Sequence, residues 1–348
     1  MTTSEPDYRR RRCGVAGPAR RGRRFALLAG LLLLAGAPLC AAAVLKVATL
    51  ATEGSVEMKR LREAAGAIDE RTQGRVQFKF YPGGVMGDDQ AVLRKIRLGQ
   101  LQGAVLTAGG LTQVYSDIQL YNLPLEFSDL AAVDRARAAL DPLLLAGLEE
   151  HGFVAFGIAE VGFAYAMSKA PVFSVAEAQT QKVWVPEGDL GAARALQSFG
   201  ISPIPLSIAD VLSGLQTGLI NGVAVPPVGA IALQWHTQLQ NVLDLPLLYV
   251  YGLMVISTRP FERLSDPDQA VVREELAASV RDVNARNRAD HESAVAALKS
   301  LGLTWNEPSP EQVAEWRGYA RRASAQLIED GFVSADLYQA LRAAVGGD

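Results

Sequence analysis

The amino-acid sequence predicts an α/β protein with two lobes. Short apolar strands alternate with amphipathic helices between residues 45 and 107, and the alternation returns between residues 153 and 257. This rhythm is typical of a mostly parallel sheet covered by helices. The chain of 348 residues also exceeds the length that one hydrophobic core normally serves, which favours two lobes over one.

The first 43 residues have the three parts of a secretory signal. Eight arginines lie in residues 1–24, an uncharged apolar run covers 25–39, and the alanines at 41–43 form an A-x-A cleavage site. The apolar run is shorter than the roughly 20 residues that a membrane span needs. We therefore predict a signal peptide over residues 1–43, export to the periplasm, and no membrane insertion after cleavage. A retained anchor is the alternative.

The composition of the remaining chain excludes several functions. Cleavage leaves about 305 residues with a net charge near −9, and both Cys13 and Cys40 are lost with the signal. Without a thiol, the mature chain forms no disulfide and has no thiolate for a metal or a nucleophile. An acidic chain without basic clusters argues against nucleic acid as a partner. We expect no cofactor and no bound metal.

The first series of elements occupies residues 45–107. Residues 45–50 form a short apolar strand, and the apolar spacing from Met58 to Ile68 predicts a helix that ends at Gly74. The alternation over 75–81 predicts a second strand. A glycine-rich turn, a helix and a third strand follow, over residues 82–87, 88–98 and 103–107.

The second series begins at residue 153. Ser265 opens a helix of over 30 residues that ends near Gly302, long enough to run beneath both lobes. Residues 309–312 form a capping box with proline at the first helical position, which predicts a last amphipathic helix. The strands of this series are predicted over 153–158, 162–168, 182–186 and 253–257, and its shorter helices over 188–198 and 209–219.

Signals of catalysis are weak. His151, His236 and His291 lie far apart, and none has the spacing of metal ligands. The sequence contains no nucleophile elbow, P-loop or dinucleotide fingerprint. The paired acids Asp88 and Asp89 are better explained as a helix N-cap and a first-turn acid than as an acid–base pair. A binding protein is favoured, with a periplasmic hydrolase or isomerase as the alternative.

Five motifs resemble, in chain order, those of the TRAP-transporter solute-binding proteins of the DctP type. They lie at residues 70–76, 81–89, 99–103, 123–127 and 215–222, the last reading LQTGLING. The resemblance covers essentially the whole mature chain. It implies a two-lobed periplasmic-binding-protein (Venus flytrap) fold with crossing hinge strands and a long helix spanning both lobes. It also implies a small-molecule solute in the cleft and delivery of that solute to the TRAP membrane permease subunits.

The resemblance places the two lobes along the chain. Lobe I is expected over residues 44–166 and about 250–282. Lobe II is expected over residues 167–249 and about 283–348. The cleft between them is the expected site of the solute.

The chain departs from the family pattern where members that bind carboxylates place an arginine. Trp184 occupies that position, and Val225 stands where many members have an asparagine, before Pro226. A buried carboxylate without a cation loses several kcal/mol of solvation, so these changes predict an apolar or weakly polar solute. Lys182, on the same face of its strand as Trp184, is the alternative cation for an organic acid.

The predicted contact residues form apolar walls with a few polar groups. Phe163 and Tyr165 share one face of a strand, where core burial is the alternative. Trp235 has helix packing as its alternative. Glu53 and Glu187 each follow a strand and are either polar anchors at the cleft rim or first-turn acids. The full predicted set is Glu53, Thr107, Phe163, Tyr165, Trp184, Glu187, Val225, Pro226 and Trp235.

Overall fold

A mixed sheet of ten strands organises the protein, whose computed structural model describes residues 42–346. Apart from its last two residues, the predicted signal segment over 1–43 lies outside this range. The strands in chain order are β1 (Ala43–Ala48), β2 (Val76–Tyr81), β3 (Gly103–Thr107), β4 (Phe153–Ser168), β5 (Val183–Pro186), β6 (Pro203–Leu206), β7 (Gly222–Val225), β8 (Asn241–Leu243), β9 (Leu248–Ser257) and β10 (Thr304–Asn306).

Helices separate most of the strands and pack against the sheet. Three short 3₁₀ helices cover Ser116–Asn122, Ile208–Asp210 and Trp235–Gln238. The α-helices are α1 (Val56–Arg71), α2 (Asp89–Arg97), α3 (Ala108–Leu111), α4 (Leu130–Glu150), α5 (Val175–Gln179), α6 (Leu190–Ser198), α7 (Val211–Thr217), α8 (Pro227–Ala232), α9 (Thr258–Phe261), α10 (Asp266–Ser300), α11 (Pro310–Glu329) and α12 (Ala335–Val345).

The strand order β2-β1-β3-β9-β4-β7-β5-β6 divides the molecule into two lobes. We term the part built on β1, β2 and β3 the first lobe and the part built on β5, β6 and β7 the second lobe. Strands within each lobe run parallel, as predicted. Strands β4 and β9 run antiparallel to each other and to their neighbours β7 and β3, because they carry the chain between the lobes in opposite directions. The predicted two-lobed α/β fold is confirmed.

Strand β4 is a single strand of 16 residues, so the prediction of two strands over 153–158 and 162–168 was wrong. Its register against β9 shifts once at each of two glycines. Gly157 has a φ of 135° and Gly162 a φ of 114°, a conformation that favours glycine. These residues form β-bulges that bend the strand without ending it. A bulge breaks the alternation of side chains, which is why the sequence pattern looked interrupted.

Helix α10 has 35 residues and packs along β4, with contacts to α1 in the first lobe and to α8 in the second. The side chain of Asn284 accepts from the backbone N–H of Glu160 at 2.8 Å and donates to the carbonyl of Ile158 at 2.9 Å. Asn287 donates to the carbonyl of Glu160 at 2.6 Å. These bonds satisfy backbone groups that the bulges remove from the ladder. The long helix predicted from Ser265 is confirmed.

A buried ionic cluster lies where α4, β4 and α10 meet. Glu160 on β4 is 3% exposed and pairs with Arg137 of α4 and with Arg288 of α10. Arg288 also pairs with Asp134, and these two acids raise the pKa of its guanidinium. Burying Glu160 is tolerated because two cations face it. The cluster fixes the middle of the crossing strand to a helix on each side.

Candidate functional site

A cavity of about 350 Å³ lies between the lobes and extends into the second lobe. The first lobe contributes Thr107, Gly109, Gln119 and residues 122–125. The second lobe contributes helix α6 and strands β5 and β7, while β9 and the junction between α11 and α12 close other sides. The volume lies at the lower end of the range of roughly 300–1,000 Å³ that is typical of small-molecule sites.

One wall of the cavity is a sheet face that carries small side chains. Ala166 of β4 pairs with Ala224 of β7, and Ser168 pairs with Gly222. Val183 of β5 is the partner of Gly222 on the other side. Because side chains alternate across a sheet, these residues share the face that looks toward α6. The small side chains on this face therefore leave empty space between the sheet and α6.

The opposite wall is helix α6, which is also lined with small residues. Gly191, Ala192 and Ala195 recur at helical spacing and all face the cavity. Small side chains on both walls do not fill the layer between helix and sheet, and this unfilled layer is the inner part of the cavity. Phe199 and Trp316, with ring centroids 5.7 Å apart, close it at the C-terminal end of α6.

The polar groups of the cavity wall form a chain of hydrogen bonds in which each donor and acceptor can be assigned. Asp189, the N-cap of α6, accepts from the backbone of Ala192 at 3.0 Å and from Nε2 of Gln119 at 2.9 Å. A carboxylate only accepts hydrogen bonds, so Gln119 turns its oxygen toward Asn122, whose Nδ2 donates to it at 2.8 Å. Within residues 42–346, Oδ1 of Asn122 and Oε1 of Gln181 are buried without a hydrogen-bond partner. Each of these two oxygens has less than 1 Å² of accessible surface, so neither is open to a group in the cavity.

The charged groups around the cavity are acidic. Burial raises the pKa of Asp189 and also that of Asp89, whose carboxylate accepts from Oγ1 of Thr107 at 2.7 Å. Among the described lining residues there is no arginine, lysine or histidine. A carboxylate solute would meet a buried acid here and no cation.

Five of the nine predicted contact residues line the cavity. Trp184 belongs to this group, and its indole packs edge to face on Trp235 with centroids 5.0 Å apart. Its Nε1 donates to the carbonyl of Leu206 at 2.9 Å, so the polar atom of the ring is already used. Trp184 alternates with Val183 along β5 and therefore points to the face away from α6. Their contact with a solute stays a prediction; the five are Thr107, Trp184, Val225, Pro226 and Trp235.

Both predicted rim acids lie elsewhere. Glu53 is on the surface of the first lobe, where it pairs with Arg62 at 2.5 Å. Glu187 is exposed at the end of β5. Lys182, the alternative cation, is exposed and donates to the carbonyl of Gly218 at 3.2 Å. Each of these charges stays in water because no buried partner compensates its desolvation.

The two predicted strand aromatics pack away from α6, since they alternate with Ala166 along β4. Phe163 lies in the core of the first lobe, edge to face with Tyr249 at 5.5 Å. Tyr165 packs on Trp305 at 5.2 Å. Phe163 is buried and Tyr165 is partly buried, and contact of either residue with a solute stays a prediction.

Sequence reasoning missed the residues that shape the inner cavity. Gln119 and Asn122 lie in a segment between predicted elements, and no sequence pattern marks them. Asp189 had a signal, because an acid that follows a strand and precedes an apolar helix is a typical N-cap. The alanines of α6 gave no functional signal, since alanine is also the best helix former.

Other features of residues 42–346 are also relevant to function. No helix in this range combines the length and apolar character needed to cross a bilayer. The same range contains no group of three or more side chains placed to hold a metal ion.

Two lobes joined by two crossing strands, with a cavity between them, are typical of proteins that close around a small molecule. Residues 47–330 match the family described as bacterial extracellular solute-binding protein, family 7, also named DctP. The chain belongs to this family, and the resemblance to TRAP-type solute-binding proteins is confirmed.

Relatives with known names span most of the chain. The sialic acid-binding periplasmic protein SiaP of Vibrio cholerae is 25% identical over 294 residues, which cover 83% of this chain and 90% of that protein. The C4-dicarboxylate-binding periplasmic protein DctP of Rhodobacter capsulatus is 21% identical over 282 residues, which cover 79% and 83%.

Solved structures share the fold. A TRAP periplasmic solute-binding protein from Shewanella oneidensis, with bound succinate, superposes with a TM-score of 0.80 at 18% identity. The match covers 88% of this chain and all of that chain. A protein from Roseobacter denitrificans with bound β-D-glucuronate gives a TM-score of 0.78 at 18% identity, covering 86% and 99%. Both are similar in architecture, and both bind organic acids.

Proposed function

We propose that this protein captures a small, apolar or weakly polar organic solute in the interlobe cavity and delivers it to a TRAP membrane permease without chemical change. The observation that carries this proposal is the absence of cationic side chains among the described lining residues. Family membership supports the capture of a solute, and the names of several relatives support a periplasmic location.

The charge of the cavity decides between solute classes. A carboxylate that leaves water needs charge-assisted hydrogen bonds, each of about 1.5–3 kcal/mol, to offset its lost hydration. Among the described lining residues, the acid at the start of α6 is Asp189, and its carboxyl offers no positive charge to an anion. Apolar contact instead contributes about 25 cal/mol for each Å² removed from water, before ordering costs. An apolar solute suits these walls.

Capture is coupled to movement of the lobes. The bulges of β4 lie between the lobes and supply the bend about which they rotate. A solute that touches both lobes binds the closed form better and shifts the population toward it. The permease then recognises the closed form. This sequence of events needs no nucleophile and no general base.

A thermal-shift screen tests the proposed solute class. Succinate, glucuronate and orotate should leave the unfolding temperature unchanged, because each carries a carboxylate. A true solute at 100 times its Kd adds about 2.7 kcal/mol and should raise the melting temperature by several degrees. A stabilisation of that size by any of the three acids would overturn the proposed class.

Native mass spectrometry of protein purified without denaturation identifies a retained solute directly. We expect an added mass that corresponds to an uncharged organic molecule. Incubation with that molecule should return it unaltered, since no reaction is proposed. A changed mass would instead support the hydrolase or isomerase alternative.

A further inference from the structure

A hydrogen bond between two side chains of the protein joins the lobes across the cavity. Nε2 of Gln119, in the first lobe, donates to Oδ1 of Asp189, in the second lobe, at 2.9 Å. Gln119 is only 4% exposed, so water has little access to this bond. A hydrogen bond to a carboxylate that is shielded from water is among the stronger ones in a protein. The lobes therefore have a polar contact of their own, in addition to any contact that a solute makes with both.

The first lobe holds Gln119 in position for this bond. Its Oε1 accepts from Nδ2 of Asn122 at 2.8 Å, and its Nε2 donates to Oγ1 of Thr112 at 2.8 Å. Thr112 in turn donates to the carbonyl of Gly109 at 2.8 Å. None of these bonds depends on the second lobe. Because an amide nitrogen carries two N–H groups, they leave one N–H of Gln119 directed at Asp189.

The second lobe holds Asp189 in position as well. The same Oδ1 accepts from the backbone N–H of Ala192 and caps helix α6. Gly188, next to Asp189, lacks a side chain, and a Cβ atom there would lie 2.8 Å from Cγ of Gln90 in the first lobe. The lobes thus pack directly on each other beside the bond. Two side chains that are already fixed lose little rotamer freedom when they meet, which removes a large part of the usual cost of a new contact.

We propose that the hydrogen bond between Gln119 and Asp189, which we term the interlobe latch, stabilises the closed form independently of the solute. A solute with few polar groups cannot itself supply directional bonds to both lobes, and the latch supplies one from the protein. The free protein should then populate the closed form to a measurable extent, and the solute shifts this population further. This inference rests on the proposed capture by lobe closure and adds what controls that closure.

Distances between two spin labels measure the closed fraction of the free protein. Arg97→Cys in α2 and Gln197→Cys in α6 place one label at an exposed position of each lobe. Cys13→Ser and Cys40→Ser in the full-length chain leave only the introduced thiols to react. In pulsed electron resonance we expect a population at the label distance of this structure, the closed form, beside a population at a different distance. A free protein without the closed population would overturn the latch.

Two substitutions break the latch from opposite sides. Gln119→Glu introduces a carboxylate that cannot donate and that repels Asp189, so the ratio of closed to open protein should fall about tenfold or more. Asp189→Ser keeps an N-cap for α6 but is too short to reach Gln119, and it should lower the ratio to a similar extent. Gln113→Glu adds the same charge at an exposed position of the first lobe and should leave the ratio unchanged. A melting temperature of Asp189→Ser close to that of the wild type excludes unfolding as the cause.

The double variant Gln119→Glu, Asp189→Asn restores the bond with its direction reversed. The asparagine oxygen can cap α6 while its N–H donates to the new carboxylate, so the closed fraction should return to near the wild-type value. An unchanged ratio in either single variant, or no recovery in the double variant, would overturn the latch. None of these measurements uses a solute, so their failure leaves the proposed solute class in place, and that class is overturned only by the thermal-shift screen.

Discussion

Two adjacent glycines of α3 lie directly against the side chains of two aspartates in the site. A Cβ atom on Gly109 would lie 2.0 Å from Oδ2 of Asp189, which belongs to the other lobe. A Cβ atom on Gly110 would lie 2.1 Å from Oδ2 of Asp89, which belongs to the same lobe. The lack of a side chain at Gly109 therefore permits contact between the two lobes. The lack of a side chain at Gly110 permits packing within the first lobe.

Gly109→Ala should hold the lobes apart. The added methyl group cannot coexist with the observed position of Asp189, so the closed form loses stability and solute affinity falls at least about tenfold. Small-angle scattering with saturating solute should show a larger radius of gyration than for the unchanged protein. Gly66→Ala is the matched control, because a Cβ atom there meets nothing within 4 Å. Wild-type affinity in Gly109→Ala would contradict this reading of the contact.

At the scale of single elements, α10 and β4 depend on each other. The bulges give β4 its bend but remove backbone groups from the ladder, and Asn284 of α10 replaces two of those bonds. The hydrogen bonds from α10 therefore stabilise a strand that its own glycines would weaken. Because both elements span the two lobes, these hydrogen bonds lie where the molecule bends.

Asn284→Leu should destabilise the protein by about 1–3 kcal/mol, because it leaves the N–H of Glu160 without its acceptor and removes one of the two donors, Asn284 and Arg137, to the carbonyl of Ile158. Arg286→Leu, an exposed position on the same helix, should change stability by no more than about 0.5 kcal/mol. Urea unfolding of both variants measures the difference. Equal midpoints for the two would show that water replaces the lost bonds at no cost.

Elements with strong local patterns were predictable from sequence, and elements defined by distant pairing were not. The capping box at Ser309 and the start of α10 at Ser265 are confirmed. Helix α4 was missed, since Pro142 lies inside it and its many alanines blur the apolar face. The inner part of the cavity, between α6 and the sheet, was missed because it depends on the register that sets Ala166 opposite Ala224, which no local pattern reveals.

At the scale of the whole molecule, closure of the lobes is linked to proton uptake. The bond from Gln119 to Asp189 joins the lobes in the closed form, and there Asp189 also approaches Asp89. Burial raises the pKa of both carboxyls above the ordinary 3.8, and their mutual repulsion raises that of Asp89 further. Asp88 adds to the same negative field, and no cationic side chain is found among the cavity-lining residues that the structure describes.

The sign of this linkage follows from the raised pKa values. An acid whose pKa is raised in the closed form favours closure below pH 3.8, and that contribution is lost as the pH rises through the raised value. Affinity for the solute identified in the screen should therefore increase as the pH falls through the raised pKa values of these two acids. Calorimetry of the wild type and of Asp189→Asn measures the effect. Asparagine keeps the N-cap of α6 but carries no charge, so its affinity should vary less with pH. A wild-type affinity that rises with pH would mean that closure releases protons, contrary to the burial of these two acids.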